Sequence, residues 1–289
     1  MSGQLLDGRK VADEILEKLR LRILGMPRSP HLALLRVGEN PASVLYVRRK
    51  SVAAEKISIA STVRVYGESE PLEEVLRQIN EWNNDDSIDG ILVQAPLPTA
   101  EYQQSVFHAI DPRKDVDGFH PLNVGKLVCE DPTAFIPCTP KGIIALLNAY
   151  DIPLSGKHMV VIGRSLIVGK PLALLLQGRV INATVTICHS RTENLGNIVR
   201  SADVIISAVG QANLVRKSMV TPGTVVVDVG QNRVVDEHAP NGFRLCGDVD
   251  FFNVAPIASH ITPIPGGVGP MTIAMLLENV CDAYCIRHS

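Results

Sequence analysis

The sequence is poor in aromatic residues: it has one Trp, and Phe, Trp and Tyr together make up 4%. It therefore lacks the stacking platforms on which single-stranded nucleic acid is held. It has no excess of charge of one sign, since 28 Lys and Arg stand against 30 Asp and Glu for a net charge of −2. Neither nucleic acid nor an anionic membrane is an expected partner. No apolar run approaches the ~20 residues of a membrane-spanning helix. The opening Met1-Ser2-Gly3-Gln4-Leu5-Leu6-Asp7 has no basic stretch leading into an apolar one, so a signal peptide is not expected either. The six cysteines, at 129, 138, 188, 246, 281 and 285, form no C-x-x-C pair. Cys281 and Cys285 fall four apart on an expected helix, with no further zinc ligands nearby. Buried, reduced thiols in a cytoplasmic protein are the expectation, with no metal site.

What is present is apolar bulk. The 289 residues are 46% hydrophobic, and their number suits about two domains at ~100–200 residues each, or one large one. Val11, Ile15, Leu16, Leu19 and Ile23 form a helical stripe over 8–24. His31 to Val37 reads as a buried strand, Pro41 to about Ile57 as a helix, Ser61 to Tyr66 as a strand, Pro71 to Trp82 as a helix, and Ile88 to Gln94 as a strand. Strands alternating with helices imply a parallel sheet. From Pro112 to Pro140 the pattern dissolves around Asp115-Val116-Asp117-Gly118, and this stretch reads as a long functional connection. Alternation resumes with a helix over 141–150 and strands over 159–163, 183–189, 204–210 and 224–230. A Gly/Pro stretch, PIPGGVGP, precedes an apolar helix from Met271 to about Ile286.

In the second half, a strand ends at Gly163 and a helix opens after Gly169, with Arg164, Ser165 and Val168 between them. Glycine admits a pyrophosphate close to the backbone, and a helix N-terminus offers free N–H groups. The spacing is G-x-x-x-x-x-G, so on this segment alone an ordinary strand–helix turn reads equally well. The next strand ends His189-Ser190-Arg191, without the acidic residue that usually holds the ribose hydroxyls of NAD. Ser190 and Arg191, with Arg164, suit a 2′-phosphate, which favours NADP over solvated surface arginines. Gly210 and Gly230 at later strand ends suit close approach of a cofactor. His189 reads as a packed or hydrogen-bonding residue.

In the first half, Tyr46 and Lys50 share one face of a helix that also carries Arg48 and Arg49. A basic, solvated helix is the plain alternative. Gln94, however, closes another strand of the same expected sheet, and Asp117 follows in the long connection. A partly desolvated lysine can lose its proton near neutrality and act as a base.

Five segments in order then resemble one family. They are Val37-Gly38-Glu39-Asn40-Pro41-Ala42-Ser43 with Tyr46 and Lys50; Asp89 to Pro98; Lys114 to Gly118; Gly163-Arg164-Ser165 with Val168-Gly169-Lys170-Pro171; and Pro263 to Thr272. Together they are similar to the bifunctional methylenetetrahydrofolate dehydrogenase/cyclohydrolase family of FolD type, over almost the whole chain. The resemblance implies a two-domain α/β fold. Residues 1–118 with 264–289 would form a folate-binding catalytic domain, and 119–263 a Rossmann-like NADP-binding domain, the C-terminal helix packing back on the first. It implies NADP-dependent oxidation of 5,10-methylenetetrahydrofolate, hydrolysis of the methenyl product to 10-formyltetrahydrofolate, and a homodimer. Lys50 matches the family's catalytic lysine, Tyr46 the residue that packs on folate and positions it, Gln94 the glutamine that tunes it, and Asp117 the aspartate that reads the pterin. Pro265, Gly266 and Gly267 match a loop bordering folate and nicotinamide. Gly163, Arg164, Ser165, Val168, Gly169, Ser190, Arg191, Gly210, Gly230 and Gln231 match the cofactor region.

Two positions depart from the family pattern: Ala95 replaces the usual Leu, and Gln231 the usual Ile. Three rivals stand beside this reading: a dehydrogenase without the hydrolase step, a dinucleotide-sensing module, and an unrelated NADP reductase of a small carbonyl compound.

Overall fold

The computed structural model describes residues 3–236 and 242–288. They fall into two compact units: Asp13–Cys138 with Ile273–Ser289, and Met1–Ala12 with Thr139–Thr272. Among the described residues no helix is long and apolar enough to cross a membrane.

A short strand β1 (Gln4–Leu5) leads into α1 (Gly8–Leu24). Asp7 caps that helix, its Oδ1 accepting from the amides of Arg9 and Lys10 at 3.0 and 3.1 Å. Strand β2 (His31–Val37) is buried from Leu32 onward. It lies between β3 (Ala60–Tyr66) and β4 (Gly90–Gln94), parallel to both, in the order β3-β2-β4. Parallel neighbours need crossovers, and α2 (Pro41–Lys56) and α3 (Leu72–Asn83) supply them. Leu35, Val37, Val75, Ile79, Ile91 and Val93 join one buried cluster under this sheet. Helix α4 (Ala100–Ala109) follows, its first turn capped by Thr99 Oγ1, which accepts from the Tyr102 amide at 3.1 Å.

The stretch 112–140 is not a bare connection. It contains α5 (Pro121–Val128), and α6 (Cys138–Ala149) begins inside it. Proline density hid the first of these helices. Pro121 occupies the first helical turn, where its missing N–H costs nothing, and His120 Nδ1 accepts from the Leu122 amide at 3.0 Å.

The second sheet has six parallel strands in the order β1-β11-β8-β7-β5-β6. They include β5 (His158–Ile162), β6 (Thr184–Cys188), β7 (Val204–Ser207), β8 (Val225–Asp228) and β11 (His260–Ile261). Helices α7 (Gly169–Gln177) and α8 (Leu195–Arg200) cross between them. An antiparallel hairpin, β9 (Asn232–Val235) and β10 (Phe243–Cys246), precedes the one-turn helix α9 (Phe251–Val254). Val160, Ile162, Ile205, Val226, Val249 and Ile261 form this unit's core.

The chain closes with α10 (Val268–His288). Met275, Leu276, Leu277, Val280, Cys281, Ala283 and Tyr284 are all buried, so the helix is apolar round most of its circumference. Asn279 donates to the carbonyls of Val116 and Ile136 at 2.9 and 3.0 Å, and Arg287 to that of Ile88 at 2.6 Å. These bonds seat residues from Ile273 onward in the three-stranded unit. Cys285 is only half-buried and accepts from Arg22 at 3.2 Å, and Cys129 is exposed, so neither is the enclosed thiol expected.

The division also differs in detail from the expected one. β1 pairs with β11, so the first residues belong to the six-stranded unit, and the chain passes between units at 12/13, 138/139 and 272/273. The expected boundaries lay at 118/119 and 263/264. The pairing responsible for the first crossing is two residues long, too short for a periodic signal in the sequence.

Candidate active site

In both sheets the strand order reverses beside the first strand laid down in its unit's crossover series. β2 has β3 on one side and β4 on the other, and β5 has β6 and β7. Ligands in open parallel sheets bind outside the carboxyl ends of the strands at such reversals. The predicted residues are found at these ends.

In the three-stranded unit, α2 starts where β2 stops. Asn40 Oδ1 accepts from the amides of Ala42 and Ser43 at 3.0 and 3.3 Å, and Pro41 occupies the first turn. The buried positions of α2 are Ser43, Val47, Lys50 and Ala54, one stripe at helical spacing. Lys50 thus sits where an apolar residue would be usual, with 6% of its surface exposed. Arg48 and Arg49 are exposed, and Tyr46 is half-buried one turn before Lys50. Lys50 Nζ donates to Gln94 Oε1 at 3.0 Å, and Gln94 Nε2 donates to the Ala95 carbonyl at 2.8 Å. The second bond fixes the amide with its oxygen toward the lysine. It uses only the backbone of residue 95, so alanine in place of leucine leaves it intact.

Burial lowers the pKa of Lys50, against the pull of Asp117 and Cys138 in the other direction. Burial likewise raises the pKa of Asp117, which Lys50 and a hydrogen bond from the Cys138 thiol oppose. Desolvation is the leading cause at both groups, and the charge of each opposes the shift of the other.

The turn carrying Asp117 is built on a neighbour for which the sequence reading proposed no role. Asp115 is fully buried. It accepts from the amides of Gly118, Phe119 and His120 at 3.1, 3.3 and 2.8 Å and from Asn123 Nδ2 at 2.8 Å. Even so, desolvation carries its pKa up to about 6. Cys138, also without an assigned role, places its thiol 3.4 Å from the Val116 carbonyl.

In the six-stranded unit, Gly163 follows β5 with φ +123°, a conformation that favours glycine. Gly169 packs so closely on the Gly163 carbonyl that a side chain at 169 would collide with it. Between them Ser165 Oγ accepts from the Val168 amide at 3.1 Å, which shapes the entry to α7. Arg164, Ser165, Ser190 and Arg191 are exposed at the ends of β5 and β6. His189 shapes that second turn: its Nδ1 accepts from the Arg191 amide at 3.1 Å, while its own amide donates to Thr192 Oγ1 at 2.8 Å. Gly210, with φ +69°, and Gly230 follow β7 and β8. Gln231 lies against the PIPGGVGP loop, its Nε2 3.2 Å from where a Cβ on Gly269 would be. In that loop Gly266 has φ +114° and accepts from the Arg9 amide at 3.1 Å, Gly267 donates to the Pro263 carbonyl at 2.9 Å, and Pro265 is exposed. The cofactor-region residues thus gather at the carboxyl ends of one sheet, and Lys50, Gln94 and Asp117 come together in the other unit.

Two further buried carboxylates, Asp228 and Asp248, went unnoticed in the sequence. Burial raises the pKa of Asp228 to about 7, against hydrogen bonds from the backbone of Val249, Asp248 and Gly230. A signal was available: the triplet Asp-Val-Asp occurs at 115–117 and again at 248–250, and its first aspartate is buried both times.

Comparison with known proteins agrees with this geometry. A family profile described as tetrahydrofolate dehydrogenase/cyclohydrolase, catalytic domain, matches residues 6–117, and its NAD(P)-binding domain counterpart matches residues 137–288. The chain is 49% identical over 292 residues to the bifunctional protein FolD of Prosthecochloris aestuarii, across 99% of each chain. Its fold matches the FolD methylenetetrahydrofolate dehydrogenase/cyclohydrolase of Campylobacter jejuni with a TM-score of 0.92 and 45% identity, over 99% of this chain and 100% of that one. The Trypanosoma brucei FolD, solved with NADP and an inhibitor, matches with a TM-score of 0.95 and 34% identity over 100% and 99% of the two chains. The chain belongs to the tetrahydrofolate dehydrogenase/cyclohydrolase family.

Proposed function

We propose that, as a member of this family, the chain oxidises 5,10-methylenetetrahydrofolate with NADP and hydrolyses the resulting methenyl cation to 10-formyltetrahydrofolate. The observation that carries the hydrolytic half is the buried Lys50 amine held by Gln94 at 3.0 Å. Opening the methenyl ring adds water to a cation and needs proton transfers. Lys50, shifted by burial toward the neutral amine, takes a proton from the attacking water. A neutral amine still donates one N–H to Gln94 Oε1 and keeps its lone pair for that task. A cationic substrate nearby disfavours a charged lysine further. Asp117 accepts from the donor groups of the pterin, and Tyr46 packs beside Lys50 against the substrate.

The residues at the cofactor end fit a phosphorylated dinucleotide. Gly163 and Gly169 pack backbone against backbone, which brings the start of α7, with Ser165 and Val168, close to the end of β5, where a helix N-terminus suits a pyrophosphate. Arg164, Ser190 and Arg191 are free at the surface to hold a 2′-phosphate, and Gly210, Gly230 and Gln231 border the same sheet end. When bound, NADP supplies the acceptor for the electron pair leaving the folate methylene carbon. The protein's part in that step is positioning, which can account for a large share of a rate. A homodimer and a cytoplasmic setting complete the proposal. None of the six cysteines is joined in a disulfide, as suits a reducing compartment.

The test is a pair of absorbance assays on one sample. With methylenetetrahydrofolate and NADP, NADPH should form and the methenyl intermediate should decay faster than in buffer. Replacing NADP by NAD should slow the first step. A strong preference for NAD would contradict the roles given to Ser190 and Arg191, and methenyl decay at the buffer rate would remove the hydrolase.

A further inference from the structure

Strands β7 and β8 end at Ser207 and Asp228; the turn after the first carries Val209, Gly210 and Gln211, and the turn after the second carries Gly230 and Gln231 and leads into Asn232 at the start of β9. Val209, Gly210, Gln211 and Gln231 are exposed. Exposed turns of this kind ordinarily fluctuate. Here both close on one carboxylate. Asp248 is fully buried. Its Oδ2 accepts from the amides of Val209 and Gly210 at 2.8 and 3.2 Å and from the Ser207 hydroxyl at 3.3 Å. Its Oδ1 accepts from the Gln211 amide at 2.9 Å and from Asn232 Nδ2 at 3.0 Å.

Asp248 is itself anchored. Asp228 Oδ1 accepts from the amides of Asp248 and Gly230 at 2.9 and 3.0 Å, and its Oδ2 from the Val249 amide at 2.9 Å. Every partner of both carboxylates is a donor, a set that only an acceptor on all sides satisfies. Gly230 leaves the space this needs, since a Cβ there would stand 2.7 Å from the Asp248 amide nitrogen. An amide at 248 would turn an NH₂ group toward two or three of these donors, whichever way it faced.

We propose that Asp248 is a positioning residue for the cofactor: it holds the turns after β7 and β8 in one arrangement and thereby sets the affinity for NADP. This rests on the reading that NADP binds at this sheet end. Asp248 sits behind the turns and acts through their backbone. The effect of losing it should therefore fall on cofactor binding and spare the hydrolysis assigned to Lys50 and Gln94, which needs no cofactor.

The experiment is calorimetric titration of NADP into the full chain and into Asp248→Asn and Asn232→Ala, with methenyl hydrolysis and the thermal midpoint measured on the same preparations. Asp248→Asn should weaken NADP binding by about tenfold or more, the scale of lost hydrogen bonds to a charged group. Asn232→Ala, which removes one side-chain donor and leaves the backbone bonds, should weaken it by about threefold. Hydrolysis should stay within about twofold of the parent in both, since no group in contact with Lys50 changes. A parent-like Kd for a folded Asp248→Asn overturns the proposal, as does hydrolysis that falls in step with NADP binding, the mark of a merely structural role. Should Asp248→Asn not fold, Asn232→Ala decides by the same criteria. A parent chain that binds no NADP overturns the functional reading and this inference together; a parent that binds, with variants that bind equally, overturns this inference alone.

Discussion

The two units solve opposite problems. In the three-stranded unit the chemical group is itself buried: Lys50 is 6% exposed, and its surroundings decide its protonation. In the six-stranded unit the groups that would meet the ligand, Arg164, Ser165, Ser190 and Arg191, are exposed, and the buried charged groups, Asp228 and Asp248, hold the neighbouring turns after β7 and β8. A base needs a low-dielectric surrounding to be neutral at working pH. A phosphate needs permanent charge, which arginine supplies without environmental help. The first unit tunes its reactive group, and the second tunes turns at the sheet end where the ligand would lie. The contrast can be broken at specific residues.

The largest effect belongs to Lys50, the proposed base. Lys50→Gln keeps a polar side chain beside Gln94 but cannot accept the water's proton. Methenyl hydrolysis should fall by ~10²–10⁴-fold, the usual contribution of a positioned general base. Dehydrogenation, which asks no proton transfer of this residue, should fall much less. Stopped-flow decay of the methenyl absorbance, read beside NADPH formation, separates the two. Hydrolysis at the parent rate would show that burial of Lys50 serves packing alone.

The next effect tests whether the environment sets the protonation. Asp117 pulls the pKa of Lys50 upward while burial pushes it down. Asp117→Asn removes the opposing pull, so the pKa of Lys50 should drop further. The active form is the neutral amine, whose fraction rises with pH. The acid limb of the hydrolysis profile should therefore move to lower pH in the variant. The folate KM should rise by about tenfold or more through the loss of charge-assisted bonds to the pterin. A limb that stays in place, measured by rate against pH at saturating substrate, would detach Lys50 from Asp117.

The difference between the units also governs what could be read before folding. Helix periodicity and a strand end locate Tyr46, Lys50 and Gln94 in the sequence, and the family resemblance separates them from a basic, solvated helix. Arg164 and Arg191 were legible because they close consecutive strands. Asp115, Asp228 and Asp248 were not, because each acts on amides of a turn whose path exists only once the chain has folded. Helix α5 was hidden by prolines that in fact start it or flank it. The pairing of β1 with β11 joins residues more than 250 positions apart over two positions, below what periodicity can show.

The smallest effect lies on the exposed side. Arg191 is set by the turn in which His189 accepts its amide, and its guanidinium is solvated. Solvated ion pairs are screened and contribute little, yet a bidentate bond to phosphate exceeds an ordinary surface pair. Arg191→Ala should raise the KM for NADP by about three- to tenfold. NAD, which lacks the 2′-phosphate, should be used as before, and methenyl hydrolysis should not change. The NADP penalty should shrink as salt is raised, because the lost interaction is between exposed charges. Equal losses with NADP and NAD would mean that Arg191 supports the turn and does not read the phosphate. In that event the tuned backbone, more than the exposed charge, would carry cofactor recognition in this unit, and the contrast between the two units would narrow to one between a buried side chain and a buried scaffold.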